Sequence, residues 1–201
     1  LGYIKVSSFS MEVSAVDGQF GQALQDLLDA GAKGIVLDLR DNSGGLVQLA
    51  MSIAGRFFPD YTPLFDFYYA DGTGGFAYRG FIEILPGEPY YQGPVAVLVN
   101  EMTGSAGELF AYAMKTDDRA LIVGYTPTGG FAGEVGDGQY KLPGELSMQI
   151  PTGRPVDPVT GETVIEGRGV APDVRVPRTV ESLLSPEDEV LQAAEQALLA
   201  N

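Results

Sequence analysis

The chain has 201 residues, 45% of them hydrophobic, and a formal net charge of −15. This length and apolar content support one buried core, so we expect a single domain over residues 1–201. The acidic charge argues against nucleic acid and anionic membranes as partners, because phosphate groups would be repelled. With no histidine and no cysteine, the chain itself supplies no Ser-His-Asp or Cys-His site, no disulfide and no cysteine metal site.

The start of the chain already has the pattern of a folded element. The apolar segment Leu1–Val6 indicates a buried strand, and no charged-then-apolar leader precedes it. No apolar stretch reaches the roughly 20 residues of a membrane span. The chain therefore has the character of an excised domain, which leaves room for a leader or a flanking domain before it.

A strand–loop–helix unit follows in the first half. Apolar residues at helical spacing from Phe20 to Leu28 predict a helix of about 12 residues, which Gly31 ends. Ile35–Leu39 predicts a buried strand, and the next loop leads into an amphipathic helix over Leu46–Phe57. The next two segments predict a β-hairpin, with strands at Leu64–Tyr69 and Gly75–Leu85.

The second half repeats this pattern. Pro94–Val99 predicts a buried strand, and Ser105 begins the helix that follows it. Ala120–Val123 predicts another strand, followed by a long glycine-rich loop. Three shorter elements complete the prediction: strands at Gln139–Leu142 and Leu146–Ile150, and a C-terminal helix with Ser185 as its N-cap.

Ser105 is the candidate nucleophile of the chain. It follows a buried strand and opens a helix, whose first-turn amides present donors and a partial positive charge. The amide of Ala106 could hold an acyl oxyanion, and Gly44 or Gly45, after a neighbouring strand, could offer a second amide.

The same residues also fit a structural interpretation. Ser105 and Glu108 match a capping box, in which the serine merely begins the helix. The GxSxG nucleophile elbow is not matched, because Thr103 holds its first glycine position. In the earlier loop, Asp38 and Arg40 could form an ion pair, and the glycines after them could simply allow a tight turn.

Taken together, four segments resemble one family, the carboxyl-terminal processing peptidases or tail-specific proteases, in the same order along nearly the whole chain. They are the opening strand over Tyr3–Ser10, LDLRDNSGGL from Leu37, VLVNEMTGSAGELFAYAMK from Val97 and EGRGVAPDVRV from Glu166. The resemblance implies an α/β fold of the ClpP/crotonase-like type, a ββα spiral core with additional short β-strands and a C-terminal helix.

The resemblance also implies a mechanism. Ser105 would be the nucleophile, and the amides of Ala106 and of Gly44 or Gly45 would be the oxyanion donors. No metal or organic cofactor is needed. Members of the family usually work outside the cytoplasm, so the resemblance implies a periplasmic or secreted location. No segment resembles the PDZ-like domain that the family commonly carries.

The sequence departs from the family's pattern at one functional position. The family follows the equivalent of Leu121–Gly124 with a GKGxxQ segment, which supplies the lysine general base and a supporting glutamine. Here Gly130 stands at the lysine position and Glu134 at the glutamine position. Lys141 and Glu134 are the alternative bases, and Lys115 is a weaker one because it lies about 15 Å from Ser105 along a helix. Without any base the rate would fall by about 10²–10⁴.

The sequence therefore leaves two classes of function open. The first is a serine-type endopeptidase domain that cleaves near protein C-termini through an acyl-serine intermediate. The second is a catalytically inactive module on the same fold, which binds peptides or small apolar ligands. A crotonase-like acyl-CoA enzyme is disfavoured, because the acidic charge suits the CoA phosphates poorly. The expected partner is a polypeptide substrate or peptide ligand, and the oligomeric state stays open.

Overall fold

The computed structural model describes residues 1–10, 13–133 and 139–200. In chain order its elements are β1 (Gly2–Lys5), α1 (Val13–Asp29), β2 (Ile35–Asp38), α2 (Val47–Ala54), β3 (Thr62–Ala70), β4 (Phe76–Ile84), β5 (Val95–Leu98), α3 (Ala106–Lys115), β6 (Leu121–Gly124), β7 (Gln139–Lys141), β8 (Ser147–Gln149), β9 (Gly153–Val156), β10 (Val174–Arg175), α4 (Val180–Leu184) and α5 (Glu189–Leu199).

A five-stranded parallel sheet forms the centre of the fold. Its strand order is β1-β2-β5-β6-β10, and every neighbouring pair is parallel. The strands β2 and β5 are buried at every residue, which explains why their sequences are nearly continuous apolar runs. The predicted α/β class is confirmed, and so are the buried strands predicted around β2 and β5. The prediction of a buried strand at Leu1–Val6 is wrong in its burial, because β1 lies at the edge of the sheet and its residues Tyr3 and Lys5 are exposed.

Helices cover both faces of this sheet. One face packs against α1, α2 and α3, and the main core lies between them. The other face packs against α5 in a smaller cluster, which consists of Val36, Ala96, Leu98, Val123, Val176, Val190, Ala194 and Leu198. Alternate residues of the central strands therefore enter different clusters, because successive side chains of a strand point to opposite faces.

Two antiparallel sheets lie outside the central one. The first has the order β4-β3-β9, and its β3–β4 pair is the predicted hairpin, which is confirmed. The second consists of β7 and β8 alone. The strands β9 and β10 and the helix α4 were not predicted, because each is short and carries too few residues for a clear period.

Two predicted helix boundaries are wrong. Helix α1 is longer than predicted and begins at Val13. Glycines in its first half obscure the helical period of its apolar residues. One of them, Gly21, faces the guanidinium of Arg56, a buried residue. The C-terminal helix is capped by Asp188, whose carboxylate accepts the N–H of Leu191 at 3.0 Å. Ser185 instead ends the preceding helix α4. In the described part of the chain, no helix is long and apolar enough to cross a membrane.

Candidate active site

Three loops meet at the carboxyl edge of the central sheet, after β2, β5 and β6. Parallel strands bring their carboxyl ends to one edge, so these loops are neighbours in space. The N–H of Gly104 donates to the carbonyl oxygen of Asn42 at 2.9 Å, and the N–H of Gly129 donates to the carbonyl oxygen of Thr103 at 2.9 Å. The loop that carries Ser105 is therefore hydrogen-bonded to both of the other loops.

Ser105 lies at a sharp turn between β5 and α3. Its φ of 51° and ψ of −123° are outside the regions that non-glycine residues ordinarily occupy. Such strain persists only where neighbouring groups hold the backbone in place. The residue is partly exposed at this edge of the sheet.

The capping box predicted at this turn is formed through its carboxylate. Glu108 Oε2 accepts the N–H of Ser105 at 3.1 Å. The reciprocal half of the capping box, between the Ser105 side chain and the N–H of Glu108, is also present, and the same N–H donates to the backbone carbonyl oxygen of Ser105 at 2.8 Å. The serine is thus the residue before the helix and takes part in a capping box, as the cap interpretation requires.

Asn42 is a fully buried residue that fixes the glycine loop against the serine loop. Its Nδ2 donates to the carbonyl oxygen of Val6 at 2.8 Å, and its Oδ1 accepts the N–H of Gly44 at 2.8 Å. Its own carbonyl oxygen accepts the N–H of Gly104. One residue, through its side chain and its backbone carbonyl, therefore connects the end of β1, the glycine pair and the residue before Ser105.

The paired glycines lie directly against the serine turn. A β-carbon added to Gly44, whose φ is +101°, would come within 2.7 Å of Ser105 Cβ and 2.8 Å of the Ala106 nitrogen. The amide of Gly44 is already bonded to Asn42. The amides of Gly45 and Ala106 donate to no group in the described part of the chain. Gly45 is exposed, whereas Ala106 is fully buried.

Glu108 is a buried carboxylate at the centre of the site. Besides the N–H of Ser105, it accepts the hydroxyl of Thr128 at 2.6 Å and the N–H groups of Gly130 and Phe131 at 2.7 and 2.9 Å. Four donors thus converge on one side chain, and no cation pairs with it among the described residues. Glu108 holds the loop after β6 against the serine helix.

The position that resembles the family's lysine position is closely packed. Gly130 has a φ of +78°, and a β-carbon added there would lie 3.1 Å from the backbone nitrogens of Arg168 and Gly169. Its N–H donates to Glu108, and its carbonyl oxygen accepts the N–H of Gly167 at 2.7 Å. Both the conformation and the space at this position suit glycine.

The other candidate bases lie in different places. Lys141 is exposed on β7, where it pairs with Ser147 of β8. The amine of Lys115 donates to Asp173 and to the carbonyl oxygen of Ala171. Glu134 lies outside the described residues. The assignment of the base therefore stays a prediction.

An ion-pair network supports the loop after β2. Asp38 is fully buried and accepts Nε and Nη2 of Arg40 at 2.9 and 2.7 Å and the hydroxyl of Tyr3 at 2.6 Å. Burial opposes ionisation of Asp38, but the hydrogen bonds from Arg40 and Tyr3 outweigh it and hold the pKa of this carboxyl below its usual range. Burial, and then the bond to Asp38, raise the pKa of Tyr3 to about 12. Arg40 also pairs with Asp188, which links the loop to α5.

The Asp38→Asn variant is expected to lose about 3 kcal/mol of unfolding free energy near neutral pH, because it leaves part of the Arg40 fork unpaired in a buried setting. Since the folded pKa of Asp38 is depressed, its ionised form contributes stability above the unfolded value near 3.9, and this contribution is lost as the pH falls below it. Urea denaturation from pH 7 to pH 3 should show the difference between wild type and variant shrinking with acidification. The exposed Asp60→Asn variant is the control, and a difference that does not depend on pH would contradict the assignment.

Sequence reasoning missed part of this arrangement. Asn42, Thr128 and Phe131 were not singled out, and Glu108 was treated only as a capping residue. Thr128 and Phe131 contact Glu108 from about 20 residues away, so no local pattern connects them. The available signal was a charged residue in the first turn of a helix whose next residues are mostly apolar, since Leu109, Phe110, Ala113 and Met114 follow Glu108 in α3.

Comparisons with known proteins agree on one family. Residues 1–176 match Peptidase family S41. The carboxyl-terminal-processing protease of Picosynechococcus sp. is 30% identical over 89% of this chain and 39% of its own length. The carboxyl-terminal-processing peptidase 2, chloroplastic, of Arabidopsis thaliana is 31% identical over 94% of this chain and 33% of its own length. A solved photosystem II D1 C-terminal processing protease has a TM-score of 0.67 at 29% identity, over 98% of this chain and 46% of that one.

The chain therefore belongs to Peptidase family S41, and the family that its motifs resemble is confirmed. Its α/β fold is of the ClpP/crotonase-like type, as expected. The chain spans between a third and two fifths of the length of the two curated relatives above.

Proposed function

We propose that this chain is the peptidase domain of a serine-type endopeptidase, which cleaves peptide bonds near the C-termini of proteins. One observation supports the proposal: the glycine loop packs against the turn at Ser105, and the amides of Gly45 and Ala106 in these two segments have no hydrogen-bond partner in the described part of the chain. Two convergent N–H donors beside a nucleophile are the arrangement that stabilises an acyl oxyanion.

The reaction follows from these groups. Oγ of Ser105 forms a bond to the carbonyl carbon of the substrate, and its proton passes to a base. The oxyanion accepts hydrogen bonds from the amides of Gly45 and Ala106. The C–N bond then breaks, the amine leaves with a proton, and water hydrolyses the acyl-serine ester to release the acid. Gly44 packs the glycine loop against the turn, and its own amide is held by Asn42.

The base is a separate part of the proposal. Gly130 offers no titratable group at the position that resembles the family's lysine position, so the proton acceptor comes from another residue. Lys141 and Glu134 are the candidates within this chain, as the sequence indicated. Replacing each by alanine, with the labelling rate of Ser105 as the readout, distinguishes them.

A second candidate function is a peptide-binding module without catalysis. The packing around Gly130 favours it, because a lysine side chain there would have to start from a left-handed backbone with backbone nitrogens 3.1 Å from its β-carbon. For either function we propose a polypeptide as partner and, by the family resemblance, a location outside the cytoplasm.

Labelling with a peptidyl diphenyl phosphonate tests the proposal. Oγ of Ser105 attacks phosphorus and displaces phenol, so wild type should form an adduct and Ser105→Ala should form none. Ser147→Ala, at an exposed serine of β8, is the matched control and should label as wild type does. A folded wild type that forms no adduct, yet binds peptides, would overturn the enzyme in favour of the binding module.

A further inference from the structure

The ring of Phe131 lies in a slot between two glycines next to the serine turn. A β-carbon added to Gly104 would come within 2.1 Å of the ring, and one added to Gly129 would come within 2.0 Å of it. The ring therefore contacts the backbone of the residue that directly precedes Ser105. Neither glycine could carry a side chain without displacing it.

The backbone of Phe131 is anchored to the same group as the serine. The N–H of Phe131 and the N–H of Ser105 both donate to Glu108 Oε2, at 2.9 and 3.1 Å. Two nitrogens that share one acceptor oxygen are at most about 6 Å apart. In addition, the N–H of Gly129 donates to the carbonyl oxygen of Thr103. The backbone on both sides of Gly130 is thus hydrogen-bonded to the serine segment, which fixes the position of Phe131 relative to Ser105.

Phe131 is nevertheless 47% exposed, whereas the phenyl rings of the core are almost fully buried. An aromatic ring that is held in place but left half exposed beside a site offers a rigid apolar contact surface. The N–H of Phe131 is bonded to the buried carboxylate of Glu108, and the chain as a whole carries −15. Both disfavour an acidic side chain at this place.

We propose that Phe131 is a specificity-determining residue, which forms one wall of the subsite for the substrate side chain adjoining the attacked carbonyl. It selects apolar side chains over acidic ones. This inference rests on the proposed function, because it requires that Ser105 attack a peptide carbonyl.

The test compares two peptidyl diphenyl phosphonates that differ only in this side chain, one leucine-like and one glutamate-like. Wild type should label faster with the leucine-like probe. Phe131→Ala should reduce the ratio of the two rates about 10-fold, as expected for the loss of an apolar contact in a pocket. Phe131→Leu keeps apolar bulk and should change the ratio less than about 3-fold. The control is Phe81→Ala, at another exposed phenylalanine, on β4, which should leave the ratio unchanged.

The outcomes separate the two levels of the proposal. If Phe131→Ala keeps its melting temperature and labels with the wild-type ratio, the specificity role is overturned while Ser105 remains the nucleophile. If Phe81→Ala reduces the ratio of the two labelling rates as much as Phe131→Ala does, the effect is not specific to Phe131 and the inference also fails. If neither probe labels wild type, the proposed function and the inference fail together.

Discussion

The Glu108→Ala variant is expected to lose about 4 kcal/mol of unfolding free energy, one of the largest losses for any single substitution in this chain. The carboxylate accepts the N–H groups of Ser105, Gly130 and Phe131 and the hydroxyl of Thr128. Alanine would leave these four donors without their acceptor, and each buried unpaired donor costs about 1–3 kcal/mol. Relief of the buried charge offsets part of this sum. Urea denaturation at neutral pH measures the difference.

Two further variants serve as a conservative replacement and as a control for this test. Glu108→Gln keeps the shape but points an NH₂ group at donors, so it should lose about 2 kcal/mol. Glu162→Ala removes a carboxylate of the same type from an exposed position and should stay within about 0.5 kcal/mol of wild type. A loss of less than 1 kcal/mol for Glu108→Ala would mean that the loop after β6 is held by other contacts.

The central sheet could be predicted from the sequence because its strands have a recognisable local pattern of apolar residues. Strands β2 and β5 are apolar at nearly every position, which is typical of parallel strands covered on both faces, and a helix follows each of them. The hairpin of β3 and β4 has turn residues between two strand-like runs. These signals are local, so one sequence is sufficient to read them.

The geometry of the site could be predicted only in part. The sequence indicated Ser105, Ala106 and the glycine pair, but the capping-box pattern carries no information on the backbone conformation at Ser105. Its φ of 51° is an angle that a serine seldom adopts, and no local pattern predicts it. The choice between the two glycine amides likewise depends on a tertiary bond, from Gly44 to Asn42.

The Gly45→Ala variant is expected to lose about 3 kcal/mol of unfolding free energy and about 10²-fold in the phosphonate labelling rate of Ser105. Gly45 has a φ of +137°, and a β-carbon there would lie 2.3 Å from the carbonyl carbon of Phe9, so the backbones must separate. That movement would break the pairing in which Leu46 N–H donates to the carbonyl oxygen of Phe9 at 2.8 Å. It would also displace the Gly45 amide, and loss of one oxyanion donor costs about 10²–10³ in rate.

Gly72→Ala separates these causes. Gly72 lies in the turn between β3 and β4 with a φ of +79°, and nothing lies within 4 Å of an added β-carbon. It shares the left-handed backbone of Gly45 but not the close approach, so its loss should be about 1 kcal/mol, with labelling unchanged. Denaturation of the two variants side by side therefore separates the cost of the contact with Phe9 from the cost of backbone strain. The labelling rates report on the amide donor. Equal losses in both variants, with wild-type labelling in both, would remove Gly45 from the oxyanion site and leave Ala106 as its only assigned donor.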